Sequence, residues 1–201
     1  HCFIFVAVPK TGTHSIRHAL RAHLGSEDME QARLFVEKEF PIPELAALKH
    51  GHLSFEQVRP FMEKGAFESY LKFAFVRNPF DRFVSYCAFA TSREGAFDRD
   101  PMGVMRHLLF TAPPHNHLIF KPQHCFLTGP DGELQTDVLG KVETMQASYD
   151  SICEQLGFET TPLEHVNRSR RSEYRDYYDQ QLIDGVAKIY GRDLALFGYD
   201  F

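Results

Sequence analysis

The sequence predicts an α/β domain of three layers, with a central, mainly parallel β-sheet flanked by helices. Three observations carry this. An apolar run at residues 3–8 passes through a short polar loop into an amphipathic pattern. A second run, at residues 71–76, does the same through Arg77-Asn78-Pro79. A third, at residues 138–142, precedes a helical stretch over residues 143–156. Apolar runs of this length suit strands buried on both faces, and strands alternating with helices suit a parallel sheet. At 201 residues the chain fits one domain, 1–201, with a sizeable core.

Each element has a local reason. After the first strand, Ile16, Ala19, Leu20 and Leu24 recur at helical spacing, with Arg17, His18 and Arg21 on the other face and Gly25 as a stop. Residues 26–45 are mixed, and Pro41 and Pro43 are expected to rule out regular helix there. Ser54 is placed to cap a helix reaching Lys64, with Phe55, Val58, Phe61 and Met62 on one side. After the second strand, Asn78 as N-cap, Pro79 at the first helical position and Asp81 in the first turn make a strong helix start. Phe80, Val84, Cys87 and Ala88 are expected to face inward. Residues 91–133 are the least regular, broken by Pro113-Pro114-His115-Asn116-His117, Pro122-Gln123-His124 and Gly129-Pro130-Asp131-Gly132. Such a segment is expected to lie over the scaffold and select the substrate. Gly157 ends the helix of residues 143–156, and a last helix runs to Tyr190.

The first strand–loop–helix unit is an anion site by its physics. Its loop, Pro9-Lys10-Thr11-Gly12-Thr13-His14-Ser15, holds one lysine, one glycine and three hydroxyl residues. A helix N-terminus offers N–H groups and a partial positive charge, and Lys10 adds a full one. The nucleoside-triphosphate pattern G-x-x-x-x-G-K-[ST] does not fit, because Lys10 precedes the only glycine. The loop is P-loop-like in physics and different in pattern. The second unit again brings positive charge, from Arg77 and Arg82, to a helix start.

Pro9-Lys10-Thr11-Gly12-Thr13-His14-Ser15 resembles the 5′-phosphosulfate loop of the sulfotransferases. Phe75-Val76-Arg77-Asn78-Pro79-Phe80-Asp81-Arg82-Phe83-Val84-Ser85-Tyr86 resembles their 3′-phosphate motif, a strand followed by R-[DN]-P-x-x-R-x-x-S. The likeness is greatest to the carbohydrate branch that includes heparan sulfate 2-O-sulfotransferase. Its His-Gly-His motif is matched by His50-Gly51-His52, and His165-Val166-Asn167-Arg168-Ser169 resembles its C-terminal cofactor loop.

The resemblance implies transfer of a sulfuryl group from 3′-phosphoadenosine-5′-phosphosulfate (PAPS) to a hydroxyl of a carbohydrate acceptor. It implies that Lys10, Thr11, Gly12, Thr13, His14 and Ser15 bind the 5′ side, with Lys10 also stabilising the charge on the bridging oxygen. Arg77 and Ser85 would bind the 3′-phosphate, and Arg168 and Ser169 would contact the cofactor. Arg82 has a structural alternative. Either histidine of the pair fits as general base, an imidazole having an unperturbed pKa of about 6.5. His52 is favoured, with His50 orienting it. The donor arrives activated, so no metal is implied.

Plainer readings stand beside these. His50 and His52 also read as ordinary hydrogen-bonded histidines. Arg168, Arg170, Arg171 and Arg175 also read as a solvated face, diluted by Glu173 and Asp176, and Asn167-Arg168-Ser169 is formally a glycosylation acceptor. His115, His117 and His124 lack a metal-ligand spacing, and Tyr177 and Tyr178 read as packing. A nucleotide kinase-like phosphotransferase is the rival enzyme, weakened by the missing G-K-[ST]. A non-catalytic nucleotide-binding module is weakened by Lys10 and the histidine pair.

A net charge of -5 argues against a nucleic-acid partner and against a heavily anionic polymer as acceptor. Cys2, Cys87, Cys125 and Cys153 are scattered without a C-x-x-C pair, as free thiols in a reducing compartment would be. No run of 18 apolar residues suggests a membrane span. The expected location is cytoplasmic, with the Golgi lumen as the alternative if an anchor precedes His1.

Overall fold

The three expected strands form and pair in parallel. The computed structural model describes residues 2–30, 41–164 and 172–201. β1 (Phe3–Val6), β2 (Leu71–Val76) and β3 (Val138–Lys141) make one sheet in the order β1-β2-β3. The helices among the described residues are α1 (Thr13–Arg21), α2 (Pro43–Ala46), α3 (Phe55–Val58), α4 (Ala66–Ser69) and α5 (Pro79–Ala90). They continue with α6 (Ala96–Arg99), α7 (Pro101–Arg106), α8 (His124–Leu127), α9 (Met145–Leu156) and α10 (Gln180–Phe197). The chain divides into two compact units, His1–Val76 with Cys125–Val166, and Arg77–His124 with Asn167–Phe201.

In the first unit the core forms where α1 and α9 meet the aromatic side of the sheet. Ile16 and Leu20 of α1 and Tyr149, Ile152 and Cys153 of α9 pack with Phe73 and Phe75 of β2. Phe5 stacks on Phe73 at 5.1 Å, and Phe3 lies 5.6 Å from it. Such aromatic pairs add to the burial of their area. Gly140 in β3 lets the Phe75 ring approach, since a Cβ there would stand 2.6 Å from it.

Three helix boundaries differ from expectation. Ser54 does cap a helix, in a full capping box with Gln57, but α3 ends at Val58 and a 3-10 turn follows over Arg59–Phe61. Pro60 is the reason: it has no N–H to continue the ladder, so the helix does not reach Lys64. Pro43 opens α2 instead of forbidding it, because the first helical position needs no N–H partner. α10 continues past Tyr190 to Phe197, and Tyr190 marks a kink (φ -108°, ψ 17°).

The second unit is helical. Phe80, Val84 and Cys87 of α5 are buried as expected, and so are Arg82, Phe83, Ser85 and Tyr86. They pack with Phe97, Met105, Leu109 and Phe120 and with Leu182, Val186 and Tyr190 of α10. Much of the irregular stretch is therefore helical, with α6, α7 and a π-helical turn at His107–Thr111. The Gly129 turn, which belongs to the first unit, closes as read: the Gly132 N–H donates to the Gly129 carbonyl at 2.9 Å. No helix among the described residues is long and apolar enough to cross a membrane. The four cysteines are free thiols.

Ser54→Ala removes the cap just after the histidine pair, and we expect it to lower unfolding stability by about 1 kcal/mol in denaturant titration.

Candidate anion and base site

The loop before α1 makes two left-handed turns. Lys10 has φ 67° and Gly12 has φ 69°. Glycine takes that conformation without strain, whereas a lysine there costs about 1–2 kcal/mol. Non-glycine residues held in this way concentrate at functional sites. Gly12 is the N-cap of α1, and a Cβ on it would meet the Met145 methyl of α9 at 2.2 Å. The first turn of α1 has no acidic residue, as an anion at a helix N-terminus requires.

The hydroxyls have unequal work. Thr11 is buried and donates to the Val8 carbonyl at 2.9 Å, which closes the loop on itself. Thr13 and Ser15 are buried. The Ser15 N–H donates to the Gly12 carbonyl at 3.1 Å, so it serves the helix. His14 is exposed over much of its side chain. Its pKa is nonetheless lowered, by partial desolvation first and then by the positive charges of Arg17, Lys10 and Arg21.

The histidine pair lies beside this loop. His52 donates from Nδ1 to the Ala7 carbonyl at 2.7 Å, just past the end of β1. A carbonyl only accepts, so the neutral ring carries its proton on Nδ1 and its lone pair on Nε2. Burial, with smaller contributions from Arg17, His50 and His14, lowers the His52 pKa to about 4 against the pull of the Ala7 bond. The ring is therefore neutral at pH 7. The Nδ1 of His50 accepts the His52 backbone N–H at 3.4 Å, a tie within the segment.

Arg17 is a residue that helical periodicity misplaced. It was expected on the polar face, yet it is largely buried and donates to the Gly51 carbonyl between the two histidines. Glu30 lies 3.9 Å from it and takes two bonds from Arg21, at 2.8 and 2.9 Å. Arg17 thus clamps the histidine segment to α1.

In the second unit, Arg77 is anchored at several atoms. Its Nε donates to Asp81 at 2.6 Å, an i,i+4 pair along the start of α5. Asn78 caps the helix by accepting the Phe80 N–H at 3.0 Å, and its amide donates to the Asp200 carbonyl at 2.8 Å. Arg82 is buried and donates to the carbonyls of Ile119 and Lys121, both at 2.9 Å, which gives it the structural role. Ser85 is buried two turns into α5.

A model of the sulfotransferase family matches residues 1–90. No curated protein matches the chain, and no solved structure does. The sulfotransferase match ends with α5 and so takes in Lys10, Thr11, Gly12, Thr13, His14, Ser15, His50, His52, Arg77 and Ser85. It supports a transferase acting on sulfuryl groups.

The other predicted residues divide in two. Arg168 and Ser169, with His165, Asn167, Arg170 and Arg171, lie outside the described residues. His115, His117 and His124 do not converge. His117 lies against Tyr86, His115 against Phe120, and His124 is bound to Asp193 at 2.6 Å. No group of three metal-binding side chains occurs among the described residues. Tyr178 packs, its hydroxyl donating to the Phe80 carbonyl at 2.8 Å, and Tyr177 lies against Phe97.

Two consequences are measurable. Lys10→Gly relieves the left-handed strain, and we expect unfolding stability to rise by about 0.5–1 kcal/mol. The second is acid sensitivity. The unfolded chain protonates His52 near its ordinary pKa, while the fold holds it to about 4. Between those values the unfolded state binds the extra proton, so His52 subtracts stability as pH falls from about 6.5 towards 4 and nothing above that window. His52→Gln should lose less stability than the parent over that window in paired denaturant titrations.

Proposed function

We propose that this chain is a PAPS-dependent O-sulfotransferase acting on a carbohydrate hydroxyl, of the branch that includes heparan sulfate 2-O-sulfotransferase and with its P-loop-like fold. One observation carries the reading. A neutral His52, with its lone pair on Nε2, is tied to the strand end that leads directly into the left-handed Lys10.

The residues fit an anionic donor, since Lys10, a helix N-terminus without acidic residues and an arginine at a second helix start suit its charges. When bound, PAPS supplies an activated sulfuryl group. In this reading the Lys10 ammonium meets the negative charge that grows on the departing phosphate. Gly12 lets the backbone come close, and the N–H groups around Thr11, Thr13 and His14 hold the 5′-phosphate, with Ser15 closing the turn. Arg77 and Ser85 hold the 3′-phosphate, and Arg168 and Ser169 add contacts to the nucleotide. His52 takes the acceptor's proton at Nε2 as the new bond to sulfur forms, while His50 and Arg17 hold its segment. A group-transfer transition state of this loose kind is stabilised mainly by positioning and by charge, which is what these residues supply.

Ligand-induced stabilisation tests the donor. Adenosine 3′,5′-bisphosphate should raise the melting temperature, because a ligand that binds only the native state stabilises it. A rise with ATP and none with the bisphosphate overturns the reading in favour of a kinase-like enzyme. Binding without sulfate transfer to any of a glycan panel would leave a nucleotide-binding module. With an active acceptor, Lys10→Ala and His52→Ala should each lose turnover by a factor of about 100 or more, His52→Ala keeping its nucleotide affinity. The acid limb of kcat/KM should fall at about pH 4, where His52 protonates in the free protein, and not at its ordinary value.

A further inference from the structure

We infer that Gln123 and Asp193 are positioning residues for Arg77, holding the backbone from which its guanidinium reaches a 3′-phosphate. The inference rests on the role of Arg77 proposed above.

Gln123 and Asp193 are both 0% exposed. The Gln123 side chain takes both polar groups of the Arg77 backbone. Its Oε1 accepts the Arg77 N–H at 3.0 Å, and its Nε2 donates to the Arg77 carbonyl at 2.9 Å. β2 has ended at Val76, so the amide pairs the next residue in place of a neighbouring strand.

Gln123 is itself held. Its backbone N–H donates to Asp193 Oδ2 at 2.7 Å. Asp193 Oδ1 takes the His124 backbone N–H at 2.9 Å and His124 Nδ1 at 2.6 Å. A buried carboxylate is tolerated only with such donors. Asp193 also interrupts the buried stripe of α10, which otherwise reads Leu182, Val186, Tyr190 and Phe197. Packing alone would place an apolar residue there.

The bonds run in series. Asp193 fixes the Gln123 main chain, the Gln123 amide fixes the Arg77 main chain, and Asp81 fixes the Arg77 Nε. The direction of the guanidinium is thereby set at its root as well as along its stem. A planar donor fork depends on direction more than a flexible ammonium does.

Binding of two nucleotides separates this from a purely structural network. Adenosine 3′,5′-bisphosphate and adenosine 5′-monophosphate differ only in the 3′-phosphate, and both are titrated calorimetrically into the whole chain. The parent should prefer the bisphosphate, and Arg77→Ala should lose most of that preference. Gln123→Met and Asp193→Asn should each reduce the preference about tenfold, the weight of one charge-assisted hydrogen bond, while monophosphate affinity stays within about twofold. Gln123→Glu keeps the acceptor for the Arg77 N–H and should fall between. Full preference in Gln123→Met and Asp193→Asn overturns the inference alone, and so does an equal loss of both nucleotides in either variant. A parent chain with no preference overturns the role of Arg77 and this inference together.

Discussion

The first unit's candidate site depends on the bond from His52 Nδ1 to the Ala7 carbonyl. It performs two tasks. It brings a histidine from a segment without regular structure to the end of β1, three residues before Lys10 in the chain. It fixes which ring nitrogen carries the proton. The ring stays uncharged through its desolvation, against the pull of this same bond. The Arg17 bond to Gly51 adds a second tie, so the histidine segment is held to the strand on one side and to α1 on the other. Neither tie uses a side chain as acceptor. Both acceptors are main-chain carbonyls, Gly51 within the segment and Ala7 just past β1, and neither tie uses the His52 Nε2.

The second unit solves a similar problem by different means. There the functional candidate is a cation, and burying it unpaired would be prohibitive. Arg82 is buried and satisfied by two carbonyls, which fixes the chain at residues 119–121. Arg77 keeps its carboxylate partner and receives its direction from a main chain pinned by Gln123. Of the two arginines in this motif, Arg82 holds the fold, and Arg77 is the one proposed to meet the nucleotide.

What was legible in the sequence was local. The strands are apolar runs, and Asn78-Pro79 announces α5 by cap chemistry acting over a few residues. Gly157 and Ser54 likewise signal their own positions. What escaped was long-range or polar and buried. Arg17 occupies a polar position on the helical wheel, and nothing nearby shows that its partner is a carbonyl 34 residues away. Gln123 sits in a proline-rich stretch that reads as loop. Asp193 left a readable sign, an acid in an apolar stripe, and Pro60 left another, a residue that no helix reaching Lys64 would carry. The short helices between residues 91 and 127 escaped because none is long enough to show a period. Of the candidate site, the loop and the histidine pair were visible as motifs, while the tautomer of His52 and the strain at Lys10 are properties of the fold.

The Arg77–Asp81 pair has a consequence for the release of spent nucleotide. In the proposed reaction the nucleotide leaves with its 3′-phosphate unchanged, so whatever grips that phosphate grips substrate and product alike. Such uniform binding tightens both complexes without speeding the chemical step. A carboxylate 2.6 Å from the Arg77 Nε moderates the grip, because the arriving phosphate meets a cation already partly neutralised. The pair trades affinity for departure, and it does so on the half of the nucleotide that takes no part in bond breaking.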